Sequence, residues 1–143
     1  MLDVDKQENR KIQDVFNLGV VKPLNNNIME PHKNEILDIS FEFALLIIEF
    51  SEKLEELRKY VIAKQILRSG TSVGANIYEA QSAESKEDFV HKLKIAHKEA
   101  RETEYWLKLT TASTYYPNPD LRIESLLLSI NKLLNRIISR SKL

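Results

Sequence analysis

One five-residue segment of this 143-residue chain has the spacing of a catalytic motif. Gly70-Thr71-Ser72-Val73-Gly74 matches G-x-S-x-G, the turn that presents the nucleophilic serine of α/β hydrolases. That serine needs a sharp turn between a strand and a helix, whereas the apolar residues around Ser72 have helical spacing. We therefore expect Ser72 to be non-catalytic. Gly70 and Gly74 share one helix face, which predicts that a neighbouring helix packs closely against that face.

The residues that could bind a metal do not have the spacing of a metal site. A di-iron bundle needs two Glu-x-x-His pairs and two further Glu, and the nearest match is the single pair Asp88 and His91. His91 and His97 are six residues apart, so one helix face cannot present both well. The chain has no Cys, and no Arg stands four to six residues before a His, as it does in one class of helical ribonucleases. The sequence thus predicts no metal, no cofactor and no catalytic residue, and hence no enzyme.

Basic residues form a more informative pattern along two predicted helices. In the third helix they recur with one tyrosine at steps of 4, 3, 4 and 3, within about 80° of one another: Lys94, Lys98, Arg101, Tyr105 and Lys108. In the fourth helix Arg136 and Arg140 share the solvent face. Stripes of one sign that carry an aromatic residue are suited to a phosphate backbone. The alternative is an ordinary solvated face whose partner charges lie on neighbouring helices.

The charge of the chain is neutral overall but unevenly distributed. Residues 1–57 contain 6 Lys or Arg and 12 Asp or Glu, whereas residues 58–143 contain 15 and 9. This asymmetry fits either nucleic-acid binding or a self-complementary oligomer. The N-terminus is acidic and lacks the apolar core of a signal peptide, and the longest apolar run, 44–48, is too short to span a bilayer. We therefore expect a soluble cytoplasmic protein without membrane contact.

Apolar residues at helical spacing predict four helices that position these features. Their stripes cover about 34–57, 60–83, 85–113 and 118–139. Ser85 is predicted to cap the third helix, and Asn118 followed by Pro119 is predicted to begin the fourth. The lengths and short connections indicate an all-α fold, an antiparallel up-down-up-down four-helix bundle over residues 35–143. Residues 1–34 are predicted to form an N-terminal extension, a loop or a short helix.

Two helices carry more apolar residues than one core stripe requires. In the third helix Ile95, Trp106 and Leu109 form a group about 120° from the core stripe. The first helix carries a similar group beside its own stripe: Phe41, Leu45 and Ile48. These residues either widen the core, are covered by the N-terminal extension, or form a subunit interface. Trp and other aromatic residues are enriched in interface cores, so we favour a homo-oligomer whose interface includes Ile95, Trp106 and Leu109.

Within the central helices the sequence resembles a known family. Three segments carry the likeness: 67–76 (LRSGTSVGAN), 79–80 (EA) and 102–107 (ETEYWL). They resemble the four-helix-bundle proteins of the 23S rRNA-intervening-sequence (S23) family. The resemblance implies an antiparallel bundle that assembles into a homopentameric barrel. The same fold is similar to the accessory variability protein of diversity-generating retroelements, a basic pentameric barrel that binds nucleic acid and its reverse transcriptase.

The sequence therefore predicts a non-enzymatic homo-oligomer with one of two functions. The first is the binding of RNA, DNA or a ribonucleoprotein through basic helix faces. The second is a scaffold that binds other proteins and does not bind nucleic acid. A reverse transcriptase encoded by a neighbouring gene would favour the first function. In the second case the charge asymmetry would serve self-assembly.

Overall fold

The structure, a computed structural model, describes residues 34–141 and is all-helical, with no strand in this range. In chain order the helices are α1 (Glu35–Glu56), α2 (Tyr60–Ala80), α3 (Lys86–Ala112) and α4 (Leu121–Ser141). The prediction of an all-α fold with four helices is confirmed. The predicted N-terminal extension, 1–34, lies outside the described residues except for Asn34.

Ser85 caps the start of α3, as its position in the sequence predicts. Its Oγ accepts a hydrogen bond from the backbone N–H of Asp88 at 3.0 Å. The Asp88 carboxylate in turn accepts the N–H of Glu84 at 3.2 Å. Two backbone donors that a helix start would leave unpaired are thereby satisfied. The second helix ends at Ala80, earlier than predicted, because the chain continues in tighter turns whose N–H groups bond to the third preceding carbonyl.

The start of α4 differs from the prediction by two residues. Asp120, and not Asn118, provides the cap: its Oδ1 accepts the N–H of Arg122 at 2.8 Å. The helix therefore begins at Leu121. Pro119 is buried in the connection and does not occupy the first helical position.

The turn between α1 and α2 uses a backbone conformation that usually requires glycine. Arg58 has a φ of 61°, where a residue with a Cβ costs about 1–2 kcal/mol. Its N–H bonds to the carbonyl of Glu55 at 2.8 Å, and the N–H of Lys59 bonds to the carbonyl of Leu54 at 2.8 Å. This pair of bonds satisfies the last carbonyls of α1. Leu57 ends the apolar stripe of the first predicted helix, and its spacing predicts a core position. It lies in the turn and is 54% exposed, so this prediction is wrong.

The glycines of α2 determine how closely α1 approaches. A Cβ at Gly70 would lie 2.7 Å from Ile47 Cγ2, and a Cβ at Gly74 would lie 3.3 Å from the carbonyl oxygen of Ser40. The contact points rise along α1 as they fall along α2, so the two helices are antiparallel. The close packing predicted for this pair of glycines is confirmed.

Buried hydroxyl groups join α2 to α3. Ser69 and Thr103 are fully buried, and Thr103 Oγ1 donates a hydrogen bond to Ser69 Oγ at 2.9 Å. Further along, Lys92 Nζ lies 3.1 Å from Glu79 Oε2. These contacts again run in opposite directions along the two helices, which makes α2 and α3 antiparallel.

The fourth helix closes the bundle, because it packs against both α3 and α1. Arg122 on α4 donates from Nε and Nη2 to Glu42 Oε1 on α1, at 2.8 and 2.6 Å. The largest buried side chains come from all four helices and fill the centre: Phe43, Ile47, Leu54, Ile66, Ile77, Leu93, Ile123, Ile130 and Leu134. The helices thus surround one core in the order α1, α2, α3, α4, which places α1 and α3 at opposite corners.

We expect Gly74→Leu to destabilise the bundle by about 1–3 kcal/mol or more, because the added side chain must displace the backbone of α1 at Ser40. The loss should outweigh the roughly 1 kcal/mol that leucine gains over glycine in helix propensity. Urea denaturation followed by circular dichroism measures the free energy of unfolding.

The matched control is Ala75→Leu, one residue further along α2 on the exposed side. It adds comparable bulk and should change the free energy of unfolding by less than about 0.5 kcal/mol. Equal stabilities of the two variants would contradict a tight contact at Gly74.

Candidate nucleic-acid interface

The residues predicted to contact phosphate on α3 all lie on its exposed side. We call this set the basic face: Lys94, Lys98, Arg101, Tyr105 and Lys108. Each member is exposed, and Tyr105 retains 57% of its accessible surface. The buried residues of α3 recur every three or four positions on the other side of the helix. The structure therefore brings these five residues together on one surface.

One carboxylate lies at the edge of the basic face and binds two of its cations. Glu104 Oε2 lies 2.7 Å from Arg101 Nη1, and Glu104 Oε1 lies 3.3 Å from Lys108 Nζ. These are exposed pairs at i,i+3 and i,i+4 spacing, which contribute about 0.2–0.5 kcal/mol each. The basic face thus combines four cations with one acid, which gives a formal charge of +3.

The two remaining cations of the basic face, Lys94 and Lys98, form no ion pair with Glu104. Neither Lys94 nor Lys98 has an acidic partner within ion-pair distance among residues 34–141. An exposed ammonium without an intramolecular partner can bind an external phosphate without first losing an ion pair. Lys94 is therefore the least compensated cation of the set, whereas Lys98 lies close enough to Glu102 for its charge to help lower the pKa of that carboxyl.

Arg136 and Arg140 do not join the basic face. Arg140 follows Arg122 by eighteen residues, or five turns at 3.6 residues per turn, so both lie on the same side of α4. Arg122 contacts Glu42, which shows that this side of α4 is turned towards α1. Arg136, about four turns after Arg122, lies on nearly the same side. The predicted basic residues therefore occupy two separate surfaces.

Arg68 on α2 has acidic partners that the local sequence does not reveal. Its Nη1 donates to Glu99 Oε2 at 3.3 Å, and its Nη2 donates to Glu102 Oε1. The indole Nε1 of Trp106 also donates to Glu102 Oε1, at 3.2 Å. We call Arg68, Glu99, Glu102 and Trp106 the Arg68 cluster. It supplies Arg68 with two carboxylates from α3, although residues 58–78 around Arg68 contain no Asp or Glu.

The Arg68 cluster changes the acidity of its own members. The hydrogen bond from Arg68, followed by the one from Trp106, holds the pKa of Glu102 below its usual value. The hydrogen bond to Glu102 is likewise the main cause that raises the pKa of Arg68. Both effects favour the charged forms, so the pair remains ionised at neutral pH.

The second apolar group of α3 is divided between the core and the surface. Trp106 is half-buried and packs against the core, and Ile95 is also half-buried. Leu109 is 40% exposed. Trp106 therefore widens the core in part, whereas Leu109 remains available for a contact with another chain. The ring of Tyr105 lies edge-on to that of Trp106, with centroids 5.3 Å apart.

The hydrolase-like segment is an ordinary part of α2. Ser72 Oγ donates to the carbonyl of Arg68 at 2.6 Å, and Asn76 Nδ2 donates to the carbonyl of Ser72 at 2.8 Å. No sharp turn presents Ser72, which lies inside α2 (Tyr60–Ala80) and follows no strand in the described residues. Within residues 34–141 no group of three or more His, Asp or Glu could hold a metal ion. None of the helices in this range is long and apolar enough to cross a membrane.

Some of these contacts were available to sequence reasoning and others were not. Glu104 stands at i+3 from Arg101 and i−4 from Lys108, and this spacing alone identifies it as their partner. The pairing of Arg68 with Glu102 joins residues that are 34 positions apart. It depends on the register of α2 against α3, which no local pattern contains.

We expect Arg68→Gln to raise the pKa of Glu102 towards its ordinary value, because the variant loses the charged donor that stabilises the carboxylate. A carboxyl group whose pKa is lower in the folded state than in the unfolded state stabilises the fold. This stabilisation is fully present above the unfolded pKa, about 4.3 for Glu, and is lost as the pH falls through the folded pKa. The wild type should therefore exceed the variant in stability at neutral pH, and the difference should shrink on acidification. NMR titration of the Glu102 carboxyl and urea denaturation at two pH values measure both effects.

The matched control is Arg68→Lys, which retains the positive charge and should retain most of the lowered pKa. A Glu102 titration that is identical in the wild type and in Arg68→Gln would contradict the assignment.

Comparison with known proteins places this arrangement in a family. The model of the 23S rRNA-intervening sequence protein family matches residues 32–139. A crystal structure from Bacteroides thetaiotaomicron VPI-5482, described as a protein of unknown function from the S23 ribosomal protein family, is 48% identical. That match covers 72% of this chain and 97% of the other, with a TM-score of 0.65. No curated protein matches the chain. Because the family model matches about three quarters of its length, the chain belongs to the family of 23S rRNA-intervening sequence proteins.

Proposed function

We propose that this protein is a non-enzymatic homo-oligomer that binds nucleic acid through the basic face of α3. The observation that carries the proposal is the pair Lys94 and Lys98, which are exposed, form no ion pair within residues 34–141 and share one side of α3 with the exposed ring of Tyr105. Cations at a phosphate backbone release counterions and provide affinity without sequence preference. In this proposal the protein binds nucleic acid in the cytoplasm.

Tyr105 favours an unpaired strand as the ligand. Its ring is 57% exposed, and its contact with the half-buried Trp106 restricts how it can turn. An aromatic ring among phosphate-binding cations can stack on an unpaired base, which contributes about 1–3 kcal/mol per base. Bases within a duplex are not available for such stacking.

Assembly would compensate for the small size of the basic face. A formal charge of +3 per chain supports only weak binding, but a homopentameric barrel would present five copies to one strand. Linked sites raise the effective concentration of every contact after the first. The family resemblance is the basis for the number five.

The alternative function is a scaffold that binds other proteins and does not bind nucleic acid. One observation favours it: Glu104 already binds Arg101 and Lys108, and the Arg68 cluster neutralises Arg68. In that case the neighbouring carboxylates would neutralise too much of the positive charge for the surface to bind a nucleic acid near physiological salt.

We expect Lys94→Glu combined with Lys98→Glu to weaken binding of a single-stranded oligonucleotide at least tenfold, or about 1.4 kcal/mol. Two lost phosphate contacts should reduce the slope of log affinity against log salt by about 1.4, at roughly 0.7 per contact for a single strand. In the opposite direction, Glu104→Gln should strengthen binding severalfold, because it releases Arg101 and Lys108. Filter binding at two salt concentrations measures these changes.

The control is Lys53→Glu combined with Arg58→Glu, which changes the net charge equally but on α1 and the turn after it. This pair should leave affinity within about twofold. If the wild type shows no measurable binding at low salt, the scaffold function replaces nucleic-acid binding. If both double variants lose affinity equally, binding depends on net charge and not on the basic face.

A further inference from the structure

One end of the bundle carries an exposed aromatic ring that the core does not use. Tyr115 lies in the loop between α3 and α4 and is 81% exposed, the largest value for a large hydrophobic residue within 34–141. The adjacent Tyr116 is half-buried and packs against the core. The core thus uses one of the two neighbouring tyrosines and leaves the ring of the other accessible to a ligand.

The ring of Tyr115 is held in place although it is exposed. Lys59 Nζ lies 6.0 Å from its centroid and 5.0 Å from the centroid of Tyr116, so one ammonium contacts both rings. The backbone N–H of Tyr115 donates to Ser113 Oγ at 3.2 Å, and Pro117 restricts the backbone two residues later. A ring that is ordered in advance loses little conformational entropy when it binds a ligand.

The loop with Tyr115 begins where the basic face of α3 ends. Ala112, the last residue of α3, follows Lys94 by eighteen residues, or five turns, so both lie on the same side of the helix. Ala112 also follows Tyr105 by seven residues, or about two turns. It is exposed, and Tyr115 stands three residues after it. The basic face therefore continues along α3 up to the residue from which this loop starts.

This end of the bundle offers aromatic surface more than positive charge. The exposed carboxylates of Glu55 and Glu56, at the end of α1, are as many as the cations Arg58 and Lys59 that follow them. A phosphate would therefore gain little attraction here. A nucleic-acid base is different, because it is uncharged and its flat face can stack on an aromatic ring.

We infer that Tyr115 is a second stacking site, which takes an unpaired base of the nucleic acid bound on the basic face. A strand that follows α3 past Tyr105 reaches the end of the helix after about 10 Å. That distance corresponds to about three nucleotides at roughly 3.4 Å each. This inference rests on the proposed function, and it defines the ligand as a single strand long enough to reach both rings.

We expect Tyr115→Ala to weaken binding of a labelled single-stranded DNA oligonucleotide at least about fivefold, the low end for the loss of one stacked base. The slope of log affinity against log salt should remain that of the wild type, because lost stacking changes no phosphate contact. Lys94→Glu combined with Lys98→Glu should reduce this slope, so the two kinds of contact are distinguishable. Fluorescence anisotropy at two salt concentrations measures both quantities.

The matched ligand is an abasic strand of the same length, which retains the phosphates and lacks the bases. The wild type and Tyr115→Ala should bind it equally. Tyr115→Phe retains the ring and should bind the base-bearing strand within about twofold of the wild type. Tyr78→Ala removes another exposed tyrosine, 74% exposed near the opposite end of α2, and should also leave affinity unchanged.

The wild type provides a second measurement that does not depend on how a variant folds. Addition of the base-bearing strand should move the NMR resonances of the Tyr115 ring upfield, because the ring current of a stacked base shields them. The abasic strand should leave these resonances in place. Circular dichroism verifies that each variant retains its helices.

Three results would overturn the inference: Tyr115→Ala that binds the base-bearing strand as tightly as the wild type, an equal loss of affinity for the abasic strand, or ring resonances that do not respond to the bases. In each case the proposed function stands if Lys94→Glu with Lys98→Glu still weakens binding. A wild type that binds neither strand contradicts the proposed function itself, and the inference with it.

Discussion

The close approach of α1 to α2 at Gly70 and Gly74 is the contact on which the rest of the bundle depends. Each glycine costs about 1 kcal/mol in helix propensity relative to alanine, and each allows part of α1 to occupy the space of a missing Cβ. Ile47 fills that space at Gly70, and the backbone at Ser40 fills it at Gly74. Because a shift of one residue would bring a side chain into this contact, the glycines fix the register of the first two helices.

The register of α2 in turn determines which side of α3 faces outward. Ser69 lies one residue before Gly70, and its hydroxyl meets that of Thr103 in the buried contact with α3. Buried hydroxyl groups must find partners, so this pair disfavours a rotation of α3 that would separate them. The same orientation places Glu102 within reach of Arg68 and leaves Lys98 exposed. The basic face is thus a consequence of packing on the other side of the helix.

Sequence reasoning succeeded where a feature depends on spacing within one helix. The four helices, the Ser85 cap and the packing role of Gly70 and Gly74 all follow from local periodicity. It did not find the partners of Arg68 or the side on which Arg140 lies, because these depend on which helices are neighbours and in what register. The assembly and the ligand involve surfaces that no intramolecular contact constrains.

The bond between Trp106 and Glu102 makes the protein its own optical reporter. Trp106 is the only tryptophan in the chain, and its indole N–H is held by a carboxylate that also binds Arg68 on the neighbouring helix. Its emission maximum therefore reports whether α2 and α3 are in register. The ring of Tyr105 lies 5.3 Å away, close enough to transfer excitation energy to the indole. One emission spectrum can thus follow both the interior of the bundle and whatever stacks on its surface.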